Sequence, residues 1–391
     1  MAGPDEGLSR YTYFANEEAN DIVDVPPGAP YGPDPGIAPQ RQAGYAVVLD
    51  ARSGHFTQVT GMGRLNHENS IVVPNRARHD NDSRDNSSDS DSSDDSSGRR
   101  GWRHHVVLTT DDTFSGPSAQ LYMYLARRES DIWNDNGDLW AFRVTGTEDG
   151  PVDPEDAFND ANDYLDLKSG DDWQGEFIRV PDDIADGRTG DAPQTALEEW
   201  SNDNNVFQFI RLEDMAYDRH HTRTIYIADT GRTRVIPDPA TGRMQRGPSG
   251  TDGFADNGRI FKMVLNKNNP REVDSFSILA DADDPSIPEF VAMINPDNMD
   301  TSKKSLMVQE DHDDARIWRY DFHSEDWSVV ATVNDPDGES SGIVDASRWF
   351  GKGWWMLDVQ AHGILVDKEV HDGITFKREA GQLLLMKIPG S

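Results

Sequence analysis

A recurring unit constrains the fold more than any other feature of the sequence. Its clearest copy covers residues 296–322: a turn containing Asp297 and Asn298, an apolar run ending at Glu310, a polar loop, and a segment of alternating aromatic residues up to Phe322. Short apolar runs bounded by turns are typical of buried strands, and a period of two is typical of a strand with one buried face. The unit therefore predicts two paired strands with acidic residues at one end.

Further copies of this unit occur along the whole chain. Acidic residues follow a predicted strand in four copies and in a fifth, degenerate one: Glu17/Glu18, Asp111/Asp112, Asp229, Glu310/Asp311 and Asp358. Acidic turns precede the last four copies: Glu68, Glu213, Asp297/Asn298 and Glu339. Repeated antiparallel units without long helices predict an all-β fold, a β-propeller of six blades with one blade incomplete. A β-sandwich is the alternative, but it does not explain acids at the same phase of each unit.

Two segments interrupt the repeat within a single predicted domain, residues 1–391. Residues 76–101 are rich in Ser, Asp and Asn, which predicts a disordered insertion; a calcium-binding coil is the alternative, although the segment lacks the glycine-punctuated spacing of an EF-hand loop. Residues 148–205 are acidic and weakly periodic, which predicts a partly helical insertion with a helix near 194–200.

The charge of the chain excludes several classes of partner. Asp and Glu number 71 against 37 Lys and Arg, giving a net charge of −34. Nucleic acid and anionic membrane surfaces would be repelled, so neither is expected as a partner. The expected partner is a small-molecule substrate, and the protein is expected to be a monomer. The acids are spread along the chain, which favours adaptation to high salt. The sequence has no cysteine, no apolar run of membrane-spanning length, and no basic and apolar segment typical of a signal peptide in MAGPDEGLSR.

Acids at equivalent points of successive blades would meet at the mouth of the central channel. Carboxylates held close together raise each other's pKa unless a cation lies among them, and oxygen ligands favour Ca²⁺, Mg²⁺, Mn²⁺ or Fe³⁺. A single acid in so acidic a chain would mean little, but the repetition predicts a metal site. The adjacent His67, His105, His312 and His362 are expected to support the site or its loops rather than bind metal. Arg64, Arg211 and Arg316 could bind phosphate or pair with carboxylates.

At these same residues the sequence resembles the PhoX-type alkaline phosphatase family, specifically its PhoX-like branch. The segments that match in order are NEEAN at 16–20, GRLNHENS at 63–70, LTTDDTFSGPSAQLYMY at 108–124, FIRLEDMAYD at 209–218, PDNM at 296–299, VQEDHDDARIWRYD at 308–321, ESSGIVDAS at 339–347 and LDVQAH at 357–362. The resemblance covers almost the whole chain and implies a β-propeller phosphomonoesterase with calcium and iron in its channel.

The resemblance also implies which residues form the site. Glu68, Glu213 and Glu310 look like the principal metal-binding and catalytic glutamates, and Glu18, Asp297 and Asn298 look like further metal ligands. Members of the family have a Cys-bearing segment upstream of the part that matches NEEAN, and they are normally exported. This chain matches neither that segment nor the export signal, so calcium is the expected cofactor and iron would have to bind without a thiolate.

Two other functions remain open at this point. Propellers that require calcium can act as lactonases or esterases, where the ion polarises a carbonyl group. A propeller can also hold a structural metal and bind partners without catalysis. Activity on a phosphate ester, activity on lactones, or metal without either activity would distinguish the three.

The charge distribution predicts that folding depends on salt. At low ionic strength the repulsion within a chain of net charge −34 is unscreened, so the melting temperature should fall as NaCl decreases from molar to millimolar concentration. Circular dichroism melting curves over that range measure the effect. A melting temperature that stays constant would contradict adaptation to high salt.

Overall fold

The fold is described from a computed structural model of the chain. The described residues are 2–18, 44–74, 102–113, 119–153, 161–188, 192–232, 234–239, 244–248, 255–312, 314–334, 338–371 and 374–389, with backbone only over 361–371 and 374–380. The predicted disordered insertion at 76–101 lies outside these ranges.

The first two antiparallel sheets are formed by consecutive strands. Blade 1 consists of β1 (Thr12–Asn16), β2 (Ala46–Asp50) and β3 (Phe56–Val59). Blade 2 consists of β4 (His67–Val73), β5 (His105–Asp111), β6 (Leu121–Ala126) and β7 (Asp138–Thr147). Two 3-10 helices, Pro4–Glu6 and Thr60–Met62, and the helix α1 (Glu129–Trp133) lie in the connections.

Blade 3 follows after a connection that contains two strands and two helices. These are β8 (Gly150–Pro151), β9 (Trp173–Arg179), α2 (Asp182–Ala185) and α3 (Pro193–Asp203). Blade 3 itself consists of β10 (Leu212–Tyr217), β11 (Thr224–Asp229), β14 (Arg259–Leu265) and β15 (Glu272–Asp281), with the hairpin β12 (Val235–Pro237) and β13 (Met244–Arg246) between its second and third strands. No helix among the described residues has the length and apolar character needed to cross a membrane.

The last two sheets complete the described chain. Blade 4 consists of β16 (Pro296–Thr301), β17 (Ser305–Glu310), β18 (Arg316–Asp321) and β19 (Trp327–Thr332). Blade 5 consists of β20 (Gly338–Asp345), β21 (Trp354–His371) and β22 (Ile374–Lys387), with the helix α4 (Ser347–Phe350) before β21. In blade 4, Trp318, Tyr320 and Phe322 pack in one apolar cluster while Ile317 packs in another, which confirms the predicted alternation.

The first strands of successive blades lie side by side, β1 against β4, β4 against β10, β10 against β16, and β16 against β20. Consecutive antiparallel sheets arranged around their first strands define a β-propeller, which confirms the predicted fold class. The described residues form five blades rather than the expected six, and blades 1 and 5 have three strands each. The five blades, of which blades 2 and 3 are joined through β9 into one ten-stranded sheet, correspond to the five repeat units of the sequence.

A β-bulge interrupts the innermost strand of four blades at an equivalent position. In each bulge two residues oppose one residue of the second strand: Glu68–Asn69 opposite Thr110, Glu213–Asp214 opposite Ala228, Asp297–Asn298 opposite Gln309, and Gly342–Ile343 opposite Leu357. A bulge adds a residue, bends the strand and changes the direction of its side chains. In blades 2, 3 and 4 the first bulge residue is an acid, so the same distortion is applied to three carboxylates.

The acid that ends the second strand of each of these blades differs in role from the acid in the bulge. It accepts a hydrogen bond from a backbone amide just before the innermost strand. Asp111 accepts a hydrogen bond from the Asn66 amide at 3.2 Å, and Asp229 accepts one from Ile210 at 2.7 Å. Glu310 accepts one from Ile294 at 2.9 Å. These acids lie opposite the residue that precedes each bulge, so they anchor the bulged strand within its own blade.

Polar side chains of the first or second strand also join each blade to the next near the innermost strands. The Asn16 amide donates to the Glu68 carbonyl at 3.0 Å, and the Thr110 hydroxyl donates to the Glu213 carbonyl at 2.6 Å. Asp214 accepts from the Met299 amide at 2.8 Å, and Asp300 accepts from the Asp345 amide at 2.7 Å. The acidic segments are therefore fixed relative to one another across four blade boundaries.

The region 148–205 is only partly the helical insertion that the sequence predicts. The predicted helix near 194–200 is confirmed as α3, but β9 pairs with both β7 and β15 and so joins the outer strands of blades 2 and 3. Its Gly175 lies where a Cβ would come within 2.4 Å of the Phe142 ring, so close packing excludes a larger residue. Phe142, Phe207 and Phe276 pack edge to face beneath it, which makes this segment part of the core.

The contacts of Glu310 predict a structural role for this residue. Its buried carboxylate accepts hydrogen bonds from the Arg316 side chain and from Trp318 Nε1, all between 2.8 and 2.9 Å. Glu310→Gln leaves these donors without a charged acceptor, and we expect a loss of about 2–4 kcal/mol in the free energy of unfolding. Chemical denaturation measures the change, with Glu199→Gln on the exposed side of α3 as control. Equal stability of the two variants would contradict the structural role.

Candidate metal centre

Three acids from the bulges of blades 2, 3 and 4 converge in the channel. Glu68, Glu213 and Asp297 each offer one carboxylate oxygen, and these oxygens all lie within 4.8 Å of one another. The residues are separated by more than 80 positions in the sequence, and only the ring of innermost strands brings them together. We call them the carboxylate triad.

Burial and mutual repulsion make ionisation of the triad unfavourable. Burial, followed by the charge of Glu18, raises the pKa of Glu68 to about 9. Burial, followed by the charge of Asp297, raises the pKa of Glu213 well above its usual range, and burial with the charge of Asp311 does the same for Asp297. A cation among the three would reverse this preference, because an opposite charge favours the ionised form.

Glu18 lies next to the triad at the end of blade 1. Its side chain is hydrogen-bonded to Glu68, and its pKa is raised mainly by burial and also by the charge of Asp112. The charge of Glu339 in blade 5 contributes to the raised pKa of Asp297, after burial and the charge of Asp311. Acids of all five blades therefore influence the triad, although the closest oxygens belong to blades 2, 3 and 4.

One arginine adjoins the triad. Arg211 binds Asp112 through Nε and Nη2, both at 2.8 Å, and Nη2 lies 3.0 Å from Glu213. The two parallel bonds to Asp112 fix the plane of the guanidinium group. Arg211 is thus held beside the carboxylates by Asp112, which lies outside the triad. Its position therefore does not depend on Glu213 alone.

The structure separates the predicted ligands into two groups. Glu68, Glu213 and Asp297 come together, with Glu18 beside them, whereas Glu310 lies in blade 4 with its oxygens occupied by Ile294, Arg316 and Trp318. The side chain of Asn298 supports the site through hydrogen bonds to its neighbours. Its carbonyl oxygen accepts from Ser341 at 2.6 Å, and its amide donates to Asp297 at 2.9 Å, so it orients the neighbouring carboxylate.

The predicted histidines and arginines have mainly structural contacts. His67 is buried between Thr109 Oγ1 at 2.8 Å and the Gly63 carbonyl at 3.2 Å, and burial lowers its pKa to about 4, so it is neutral. His312 bonds to Glu310 at 3.1 Å. Arg64 stacks over the Tyr45 ring at 3.7 Å and Arg316 is bound to Glu310. The side chain of His362 lies outside the described residues.

Two residues of the site were missed by the sequence analysis. Asp214 is the second residue of the blade 3 bulge, and it accepts from the amides of Met215 at 2.6 Å and Met299 at 2.8 Å. Burial raises its pKa to about 7. Asp112, which holds Arg211, was grouped with Asp111 as one acidic pair. The two acids in each of the pairs Asp111/Asp112 and Glu213/Asp214 have different partners. The sequence signal for these two roles was the presence of two adjacent acids instead of one.

The donor set suits a hard divalent or trivalent cation. One buried and two half-buried carboxylates supply three negative charges and up to six oxygens, which fits Ca²⁺ or Fe³⁺ better than a metal that prefers nitrogen or sulfur. The chain contains no cysteine, so an iron ion here would be bound without sulfur.

Comparisons with known proteins identify no family for the chain. No family model matches it and no curated protein matches it. Among solved structures it is similar to a eukaryotic initiation factor (TM-score 0.26, 9% identity, 88% of this chain and 62% of the other) and to a prolyl endopeptidase (TM-score 0.28, 9% identity, 91% and 50%). A puromycin hydrolase variant follows (TM-score 0.20, 12% identity, 81% and 46%).

The chain spans between 46% and 62% of the length of the three solved structures, and the TM-scores are too low to support an argument about function. The assignment of a propeller depends on the strand order and on the packing of the innermost strands described above.

The raised pKa of Glu68 predicts a pH dependence of stability. Between pH 4.5 and about 9 the folded state holds a proton that the unfolded state releases, so the stability of the cation-free protein should fall as pH rises through this range. A bound cation stabilises the ionised form, so millimolar Ca²⁺ should flatten the dependence. Melting temperatures at pH 5, 7 and 9, with Ca²⁺ or with EDTA, measure both effects. Identical profiles in Ca²⁺ and EDTA would contradict cation binding.

Proposed function

We propose that the chain is a metal-dependent phosphomonoesterase whose cation binds to Glu68, Glu213 and Asp297. The observation that supports this most directly is the convergence of three carboxylate oxygens within 4.8 Å, one from a buried and two from half-buried residues, each in a bulge at the same position of its blade. So close a group of acids is unfavourable without a cation. The resemblance to the PhoX-like branch supports the same site through the segments that contain these residues.

Each side chain has a distinct part in this proposal. Glu68, Glu213 and Asp297 hold the cation, which when bound neutralises phosphoryl oxygens and polarises the bond to phosphorus. Asn298 keeps the Asp297 carboxylate in place through its amide group. Asp112 fixes the plane of Arg211.

Arg211 favours a phosphate ester over a lactone as substrate. Its Nε and Nη2 groups are bound to Asp112, so Arg211 contributes its positive charge, which attracts a phosphate ester and has no counterpart in a neutral lactone carbonyl. Arg211 has 18% of its side chain exposed and lies 3.0 Å from Glu213, so it is both positioned and accessible beside the triad. In a channel surrounded by carboxylates, an anionic substrate needs this positive charge in addition to the cation.

A comparison of phosphate and lactone substrates tests the proposal. The purified protein, supplied with Ca²⁺ or with Fe³⁺, should hydrolyse p-nitrophenyl phosphate and should not hydrolyse a panel of lactones. Metal analysis on the same sample determines the ion. Hydrolysis of lactones alone would favour the lactonase alternative, and bound metal without either activity would favour a binding propeller.

Substitution of single triad residues tests whether these acids share a metal ion or are ordinary acids that bind none. Glu68→Gln or Glu213→Gln removes one charged ligand with little change in shape, so metal content and kcat/KM should fall together, the latter by roughly 100-fold or more. The melting temperature in Ca²⁺ should also decrease, because the ion favours the folded state.

Two control variants complete this test. Glu199→Gln changes an exposed acid on α3 and should alter neither metal content nor activity. Glu310→Gln should lower stability while metal content at low temperature is retained. Full metal occupancy in both triad variants would refute the shared site.

A further inference from the structure

A second cavity lies between blades 3 and 4, away from the carboxylate triad. It has a volume of about 680 Å³ and is bounded by the turn after β10, by β14 and β15, by the turn between β16 and β17, and by the end of β18. Glu213 lies near the start of β10, and Asp218 at the cavity follows its end; five residues of extended strand separate them by ~17 Å. We call this space the rear cavity.

The rear cavity collects positive side chains in a strongly acidic protein. Lys262, Lys303 and Lys304 line it, which are three of the nine lysines in the chain. No lysine whose side chain is described forms a salt bridge, whereas Arg211, Arg259 and Arg316 are all bound to carboxylates, so these three lysines are distinguished by lying together at one cavity. Ammonium groups left without a carboxylate partner in a chain of charge −34 indicate that they are available to an external anion.

Two of the three acids at the rear cavity accept hydrogen bonds from backbone amides. Asp218 accepts from the amides of His220 at 2.6 Å and His221 at 2.9 Å, and Asp321 accepts from those of His323 at 2.9 Å and Ser324 at 3.2 Å. These bonds close the two turns and direct the carboxylates toward their own loops. Glu325 is the third acid at the cavity, and it is exposed.

Aromatic side chains form the inner wall. Phe322 stacks on Tyr226 with ring centroids 5.6 Å apart, and Tyr320 packs against Phe322 at 6.0 Å. Phe322 and Tyr320 remain partly exposed toward the cavity, next to the side chain of Leu279. The wall is therefore apolar and planar, while the rim is formed by lysines and histidines.

We propose that the rear cavity binds an aromatic phosphate of nucleotide size, such as a nucleoside 5′-monophosphate. The flat ring would pack on Phe322 and Tyr320, and the phosphate would bind to Lys303 and Lys304 on the exposed turn. The volume lies within the range of small-molecule sites and exceeds what inorganic phosphate alone would fill. The proposal concerns a different site from the carboxylate triad and does not depend on the proposed enzymatic activity.

Calorimetric titration tests the proposal with three probes: adenosine 5′-monophosphate, adenosine and inorganic phosphate. The nucleotide should bind, and each fragment should bind at least about 10-fold more weakly, since each lacks one of the two sets of contacts. Titrations are repeated in the Glu213→Gln background, in which hydrolysis at the triad is not expected. Unchanged nucleotide binding there would support a separate site, whereas loss of binding would overturn the proposal by placing the nucleotide at the triad.

Paired charge reversals identify the binding residues. Lys303→Glu with Lys304→Glu should weaken nucleotide binding by about 10- to 100-fold, and Phe322→Leu should weaken it while leaving the weak binding of phosphate unchanged. The control is Lys267→Glu with Lys352→Glu, which makes the same change of charge at exposed positions outside the cavity. Equal effects of the two double variants, or phosphate binding as tight as that of the nucleotide, would overturn the proposal.

Discussion

The bulge in each innermost strand is the constraint on which the channel depends. In a regular strand, side chains alternate between the two faces. A carboxylate would therefore point to the same face as the side chains two residues before and after it. The extra residue changes this direction at Glu68, Glu213 and Asp297, and the same register shift occurs in all three blades. A second acid fixes each bulge from the neighbouring strand by binding the backbone just before it. The acids that meet in the channel are thus positioned by other acids that never reach it.

This arrangement stores electrostatic free energy at the centre of the molecule. Burial and repulsion raise the pKa values of the three triad acids, and Arg211 is the positive group in contact with Glu213. Protonation relieves the repulsion at low pH, while a cation relieves it at neutral pH and restores the ionised ligands. Because the unfolded chain cannot assemble the site, any ion bound here adds its binding free energy to the stability of the fold.

The sequence predicted the repeat better than the roles of its acids. Five acidic units correspond to five blades, and β17 and β18 lie where their apolar pattern placed them. The position of Glu310 could not be inferred, because an acid that anchors a bulge and an acid within a bulge have the same composition and nearly the same spacing. The role of β9 was also hidden: its pairing with β7 and β15 joins residues about 100 positions apart, and local periodicity does not report such contacts. Blade 5 shows the same limit, since Gly342 occupies the bulge and Glu339 lies three residues before it.

The two kinds of cation in this chain are distributed according to their chemistry. Arginine has a planar group that binds both oxygens of a carboxylate, and Arg211, Arg259 and Arg316 use it to neutralise buried acids. Lysine has a compact, strongly hydrated charge that gains less from such pairing, and Lys303 and Lys304 remain exposed at the rim of the rear cavity. These internal acids are therefore balanced by arginine, whereas the positive charges at the rear cavity are those of lysine. An anion that approaches so acidic a protein is repelled by most of the protein surface. A local group of lysines without carboxylate partners is therefore a place where the anion is attracted.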